Sequence, residues 1–267
     1  MSESVLYARD GAVAIITLNR PESLNSMNPD LLNRLPDLAQ QAADDPSVRC
    51  VVITGAGRAF SAGGDVKGMA DRNAPSLTAP PVPGSGNKSL RQQEEISRLL
   101  YEMPKPTVAA VNGHAVGAGL SVALAADIRI ASEQAKFGTA FARVGFSGDF
   151  GGTWLLQRLI GPARAKELYL LAEVFDAQKA LALGLVSKVV PHDTLMAETM
   201  ALAHRLADGP TVAYARMKDN FSFGATNGLS DTLTREAENM AVTGLTQDHR
   251  EAAQAFVERR EPKFSGH

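Results

Sequence analysis

Between Pro106 and Ala131 the chain reads PTVAAVNGHAVGAGLSVALAADIRIA, a run that few arrangements accommodate. It opens with an apolar, β-branched segment (Thr107, Val108, Val111) and passes through glycines at 113, 117 and 119. A small-residue apolar stretch from Leu120 to Ala126 follows, and Asp127 leads into the alternating Ile128-Arg129-Ile130. The pattern predicts strand, glycine loop, buried helix and strand. Small residues at the loop let another group approach the main chain closely. The helix behind it turns its free N–H groups toward whatever sits there. Such a turn is suited to holding partial negative charge against backbone amides.

A second turn of the same kind lies upstream. The predicted strand Arg49 to Thr54 runs into GAGRAFSAGGD, residues 55 to 65. Taken singly, either turn can be a mere connection. Taken together, Ser61–Asp65 and Gly117–Gly119 can bring two N–H groups to one point, the geometry of an oxyanion hole. Neither loop matches GxGxxG or GxxxxGK[ST], which counts against nucleotide phosphates.

The rest of the chain bounds the class. At 267 residues, 45% apolar and 21% charged, it fits one large domain, or one domain with a smaller helical piece. A formal net charge of -2 gives no basis for a nucleic-acid or anionic-membrane partner. The lone cysteine, Cys50 in an apolar run, excludes an internal disulfide and a cysteine metal site, and reads as core filler. No histidine pair has ligand spacing, so no metal is expected. Without a signal peptide or a long apolar span, a soluble, cytoplasmic protein is expected.

Residues 5–18 read as a hairpin turning at Gly11, and Asn28-Pro29-Asp30 caps a helix that Pro36 should kink. Leu90–Met103 reads as one helix, and Leu185–Val190 as a last strand. Asn73–Lys88, rich in Pro, Gly and Ser, reads as a surface loop. From Thr194 onward the signals are helical: Leu195–Leu206, Thr211–Phe223, Leu229–Leu245 and Arg250–Glu261. The expected architecture is an α/β core over residues 1–193 and a helical region over 194–267.

Four segments together resemble the crotonase family, the enoyl-CoA hydratases and isomerases: FSAGGDVKGM (60–69), VNGHAVGAG (111–119), ADIRIASEQAKFG (126–138) and GLVSKVV (184–190). The likeness extends from Asn19 to Phe264. It implies a crotonase-like spiral of ββα turns in two sheets, with a C-terminal helical region at a homotrimer or dimer-of-trimers interface. It implies an acyl-CoA substrate, with CoA as part of that substrate and no separate cofactor. By motif position, the N–H groups of Gly64 and Ala118 form the oxyanion hole and Ala62 lies beside the adenine. Arg20, Lys67 and Lys263 become candidate contacts for the CoA phosphates.

The chain departs from the two-glutamate hydratases, which carry carboxylates where this chain has Ser121 and Phe141. Both acids needed to activate water and protonate carbon are missing. Ser121 and Phe141 are left as substrate-binding candidates. The remaining acid is Asp149, in GFSGDFGGTWLLQRL. Its sequence context alone reads as a helix cap or a solvated loop charge. The resemblance assigns it more, because some crotonases carry an aspartate here. They include enoyl-CoA isomerases of the phenylacetate-degradation type, which share D-x-G-G-T-W-x-L-x-R-L and are the nearest likeness. They also include dehalogenases of the chlorobenzoyl-CoA type, where the aspartate is a nucleophile.

A single carboxylate suits a proton shift across a three-carbon unit, with the enolate held by Gly64 and Ala118. An aspartate at its ordinary pKa of about 3.9 is a weak base. Phe141, Phe146 and Phe150 are expected to raise it by desolvation. The alternatives are hydration assisted by Asp149, attack by Asp149 on an aryl-CoA, and a non-catalytic acyl-CoA-binding protein. His114 reads as a variable loop residue and Trp154 as core or pocket wall.

Overall fold

The structure, a computed structural model, describes residues 3–65 and 88–267. The stretch expected to be a surface loop lies outside these residues from Asn73 to Asn87, as does Lys67. Strands β1 (Val5–Asp10) and β2 (Val13–Leu18) form the expected hairpin, with Asp10 opposite Val13 across Gly11 and Ala12. Helix α1 (Pro29–Asp44) starts where its cap predicts: the Asn28 side chain accepts the Leu31 N–H at 2.9 Å. It buries Leu31, Leu35, Ala39 and Ala42, and it continues through Pro36 as one helix.

The chain then repeats one unit, a strand in a large sheet followed by a strand in a small one. β3 (Cys50–Gly55) is followed by β4 (Ala59–Ser61), and β5 (Thr107–Val111) by β6 (His114–Val116). β7 (Ile128–Ser132) is followed by β8 (Lys136–Gly138). Helices close the turns: α2 (Lys88–Gln93) and α3 (Glu95–Glu102), then α4 (Ala118–Ala125), then α5 (Gly152–Ile160) and α6 (Pro162–Leu171). β9 (Phe175–Asp176), α7 (Ala177–Ala182) and β10 (Lys188–Val190) complete the core. The large sheet has the order β1-β2-β3-β5-β7-β10, and the small one β4-β6-β8-β9. Pairing from β2 through β10 in the large sheet is parallel.

β3 reads as an unbroken apolar run because both its faces are covered. Val51 and Ile53 enter the main core with α1 and α3, whereas Cys50 and Val52 pack under Ala203 and Ala207. Those alanines belong to α8 (Leu195–Ala207), the first tail helix, which lies across the outer face of the large sheet. Burial pushes the Cys50 thiol up to about 12, consistent with core filler. The tail continues as α9 (Thr211–Gly224), α10 (Leu229–Thr243) and α11 (Gln247–Glu258). Lys218 of α9 ties it to the core, donating to Asp127 Oδ2 at 2.7 Å.

Three elements differ from the sequence reading. Leu90–Met103 is two helices broken at Glu94, whose carboxylate is engaged elsewhere. The last strand begins only at Lys188, because the Leu185 carbonyl accepts Arg129 Nε at 2.6 Å. The final helix begins earlier than expected, where Thr246 caps the His249 N–H at 3.0 Å, and it ends at Arg259 with φ 57°.

Candidate active site

The first glycine loop is assembled by polar groups that sequence reading passed over. Asn25 is fully buried, and its side-chain amide donates to the carbonyls of Ala56 (2.9 Å) and Ala59 (2.7 Å). Its Oδ1 accepts the Arg20 N–H, and its main-chain carbonyl accepts the Ser61 hydroxyl at 2.8 Å. The same hydroxyl oxygen accepts the Gly63 N–H at 3.1 Å. Leu24 and Asn25 both sit at positive φ (55° and 54°), a conformation that this network has to hold. Ala62 donates its N–H to the Leu24 carbonyl, and Met27 donates to that of Gly63 at 2.7 Å. A buried asparagine inside a polar loop segment gives no periodic signal, which is why it escaped notice.

The second loop is drawn against the first. Gly117 takes φ 56° and ψ -127°, and its N–H donates to the Gly138 carbonyl at 2.9 Å. Ala118 then opens α4. Contact between the loops is close: a Cβ on Gly63, which has φ +84°, would lie 2.6 Å from the Val116 carbonyl oxygen. A Cβ on Gly119 would lie 2.4 Å from that of Ser61. Only glycine permits either approach.

Gly64 and Ala118 line one cavity of about 640 Å³ together with Asp149, Met27, Leu90 and Phe146. That size suits a small-molecule site. Asp149 is the only titratable side chain on its wall among the described residues. Glycine and positive-φ residues aim it: Gly148 (φ 112°), Phe150 (φ 51°) and Gly151 (φ 72°) surround it just before α5. The carboxylate caps no N–H of that helix, and its Oδ1 is buried without a hydrogen-bond partner among the described residues. Burial chiefly, and the nearby charge of Glu94 second, raise Asp149 to about 6. Of the three phenylalanines expected to desolvate it, Phe150 is buried and Phe146 is 54% exposed.

Phe141 is buried off the cavity wall and stacks on Tyr169 at 5.8 Å. Ser121 is buried too, its hydroxyl donating to the Gly117 carbonyl at 3.4 Å and lying within hydrogen-bond reach of the Tyr169 phenol. A Cβ at Gly152 would meet the Ser121 and Tyr169 oxygens at 2.3 Å and 2.4 Å, so these two hydroxyls share one point beneath the start of α5. Burial pushes the Tyr169 phenol up to about 12, and it stays protonated.

Arg20 is already engaged. It donates to the Ser26 carbonyl at 2.5 Å and lies 3.7 Å from the Asp65 carboxylate, tying the β2 loop to the residue after Gly64. Lys263 is exposed on a C-terminal tail pinned to Arg49, which precedes β3, whereas Gly64 lies beyond the strand's other end. Trp154 lines a different cleft, of about 880 Å³, between α5 and α9, with the Arg158 guanidinium 3.6 Å above its ring. Glu94 and Tyr169 were missed by sequence reading. Glu94 left no periodic trace, because Arg91, Ser97 and Arg98 on the same helix face are polar as well. Among the described residues, no cluster of His, Cys, Asp or Glu could hold a metal ion, and no helix is long and apolar enough to cross a membrane.

Comparison with known proteins places this geometry. The profile of the family described as enoyl-CoA hydratase/isomerase matches residues 8–267. The chain is 39% identical, over the full length of both, to 1,2-epoxyphenylacetyl-CoA isomerase of Escherichia coli K12. It is 34% identical to crotonyl-CoA hydratase of Syntrophomonas wolfei, across 98% of each. Among solved structures, enoyl-CoA hydratase from Bacillus anthracis superposes with a TM-score of 0.87 at 32% identity, covering 99% of this chain and 100% of that one. The chain belongs to the enoyl-CoA hydratase/isomerase family and has the crotonase fold of CoA-thioester enzymes.

Proposed function

We propose that the protein is a CoA-thioester double-bond isomerase in which Asp149 is the single acid/base. The observation that carries this reading is the cavity wall, where one carboxylate stands with Gly64 and Ala118 and no second acid is present among the described residues. The thioester oxygen accepts the N–H groups of Gly64 and Ala118. Asp149 takes a proton from the α or γ carbon, and the electron pair left behind delocalises onto the thioester oxygen as a dienolate. Protonated Asp149 then returns the proton at the other end of the three-carbon unit. No atom is gained or lost, and no cofactor is needed beyond the CoA that the substrate brings. The main-chain donors answer charge that grows during the step, where such donors contribute most.

Burial of Ser121 and Phe141 argues against hydration. A two-glutamate hydratase needs acids at those positions, and here they are closed beneath the Asp149 loop. Ala62 is the candidate neighbour of the CoA adenine. Arg20 is better read as a brace for the Gly64 loop than as a phosphate ligand. Lys263 is exposed and does not line the cavity of its own protomer, which suits a contact with CoA bound to a neighbouring copy. The apolar side chains exposed on α9 to α11 support a homotrimer or dimer of trimers.

The test is Asp149→Asn assayed on a panel of β,γ-enoyl, α,β-enoyl, ring-epoxide and aryl CoA thioesters. Loss of about 10²–10⁴-fold in isomerase kcat is expected, and near-wild-type turnover removes the mechanism. In the unaltered enzyme kcat/KM should rise with pH through about 6, as the base ionises. A covalent adduct trapped on Asp149 with an aryl-CoA would favour the nucleophile instead.

A further inference from the structure

Asp149 is held by a turn that has little reason to be stable alone. Phe150, the next residue, takes φ 51°, which a side chain of that bulk seldom adopts. Its N–H is not part of any helix, since α5 begins at Gly152. The partner of that N–H comes from a segment 56 residues earlier: Glu94 Oε1 accepts it at 3.1 Å. Glu94 sits between α2 and α3, with helical backbone angles (φ -70°, ψ -10°), and its side chain reaches the Asp149 loop. The arginines of that segment leave its charge in place, because Arg91 and Arg98 both pair with Glu95, and Arg98 also with Glu102.

We propose that Glu94 is the positioning residue of this site: by accepting the Phe150 N–H it clamps the Asp149–Phe150 turn against the cavity, and it sets a second negative charge behind the catalytic one. The proposal rests on the reading of Asp149 as the acid/base. Two functions are combined in one side chain. The hydrogen bond fixes where the Asp149 carboxylate points. The charge makes Asp149 harder to ionise, and so a stronger base once ionised, because like charges in a poorly solvated site oppose one another. Among the described residues, the titratable groups acting on or coupled to Asp149 are Glu94, from the α2–α3 break, and the Tyr169 phenol, from α6. The phenol is neutral across the working pH range, so Glu94 is the group that sets the charge there.

The two functions separate by substitution. Glu94→Gln keeps an oxygen able to accept the Phe150 N–H but removes the charge, whereas Glu94→Ala removes both. Each full-length variant is assayed on a β,γ-enoyl-CoA across pH, and the Asp149 carboxyl is titrated independently by infrared difference spectroscopy, using Asp149→Asn to assign its band. For Glu94→Gln, KM should stay near the wild-type value and plateau kcat should fall only about two- to threefold, the loss expected of a slightly weaker base. Its acid limb and the infrared titration should both move to lower pH by about half a unit to one unit. For Glu94→Ala, kcat should fall by about 10-fold or more with KM little changed, as expected when a reacting group is displaced but binding is not. A Glu94→Gln titration that coincides with wild type overturns the charge role. Wild-type kcat in Glu94→Ala overturns the clamp, and if that variant does not fold, Glu94→Leu, which offers neither acceptor nor charge, supplies the same comparison. Should Asp149→Asn stay active, the catalytic reading falls, while the infrared titration still tests whether Glu94 acts on Asp149.

Discussion

Asp149 carries its negative charge at a cost to the folded state. Its carboxyl is raised from 3.8 to about 6, so the folded protein holds a proton there that the unfolded chain has already released. With a raised folded pKa, the contribution to stability is complete below about 4 and lost as pH climbs through about 6. Replacing Asp149 with Asn should therefore stabilise the protein above pH 6, with a difference that shrinks toward pH 4.5. With allowance for partial solvent screening, about 1–2 kcal/mol is expected at pH 8. Urea unfolding at several pH values would check it, and a variant equally stable or weaker at pH 8 would contradict the desolvation argument. Asp149 stood out only through the family resemblance carried by D-x-G-G-T-W, since its own context reads as a helix cap or a solvated charge. Its carboxylate in fact caps no N–H of α5, and its Oδ1 is buried. The source of its shift was only partly legible. Burial was foreseen, but Glu94 was not, since local spacing says nothing about a partner 56 residues from Phe150.

At the scale of elements, the site depends on two loops, one after β4 and one after β6, pressed together. Gly63 is the contact point, and Gly11 makes a fair control, because both have positive φ but a Cβ on Gly11 meets nothing within 4 Å. Gly63→Ala should destabilise by about 2–4 kcal/mol and depress kcat/KM, combining backbone strain with a clash against the Val116 carbonyl. Gly11→Ala should cost about 1 kcal/mol and leave activity unchanged. Thermal unfolding of the pair settles the comparison, and equal losses would mean that the loops do not touch as described. The turns themselves could be read from apolar strands followed by small residues. Their joint closure could not. It depends on Asn25, whose side-chain amide bonds Arg20, Ala56 and Ala59 and whose main-chain carbonyl accepts the Ser61 hydroxyl, joining two separate pieces of chain. The start of β10 was placed three residues early for a related reason, since the Leu185 carbonyl serves a buried arginine instead of a neighbouring strand.

For the molecule as a whole, the parallel core was legible because apolar runs alternate with helical spacing, and α8 explains why β3 shows no polar face. The outer helices tell a different story. Phe221, Phe256, Val257 and Leu245 are each at least 76% exposed, far more apolar surface than a tail packed only on its own core would present. Sedimentation should show a trimer or a dimer of trimers, and Phe221→Asp with Phe256→Asp should shift it toward monomer while raising KM for a CoA thioester. A monomeric wild-type protein with an unchanged KM in the double variant would exclude the shared site. The donors proposed for the thioester oxygen, the N–H groups of Gly64 and Ala118, belong to the peptide backbone, and no substitution other than proline can delete a backbone N–H. Side chains facing the cavity can change, provided Gly63 and Gly119 still let the two loops approach. A lineage built on this scaffold can therefore exchange one acid for another, or lose both, and still keep the receptor for negative charge, so new reactions can arise without rebuilding the part that is hardest to build.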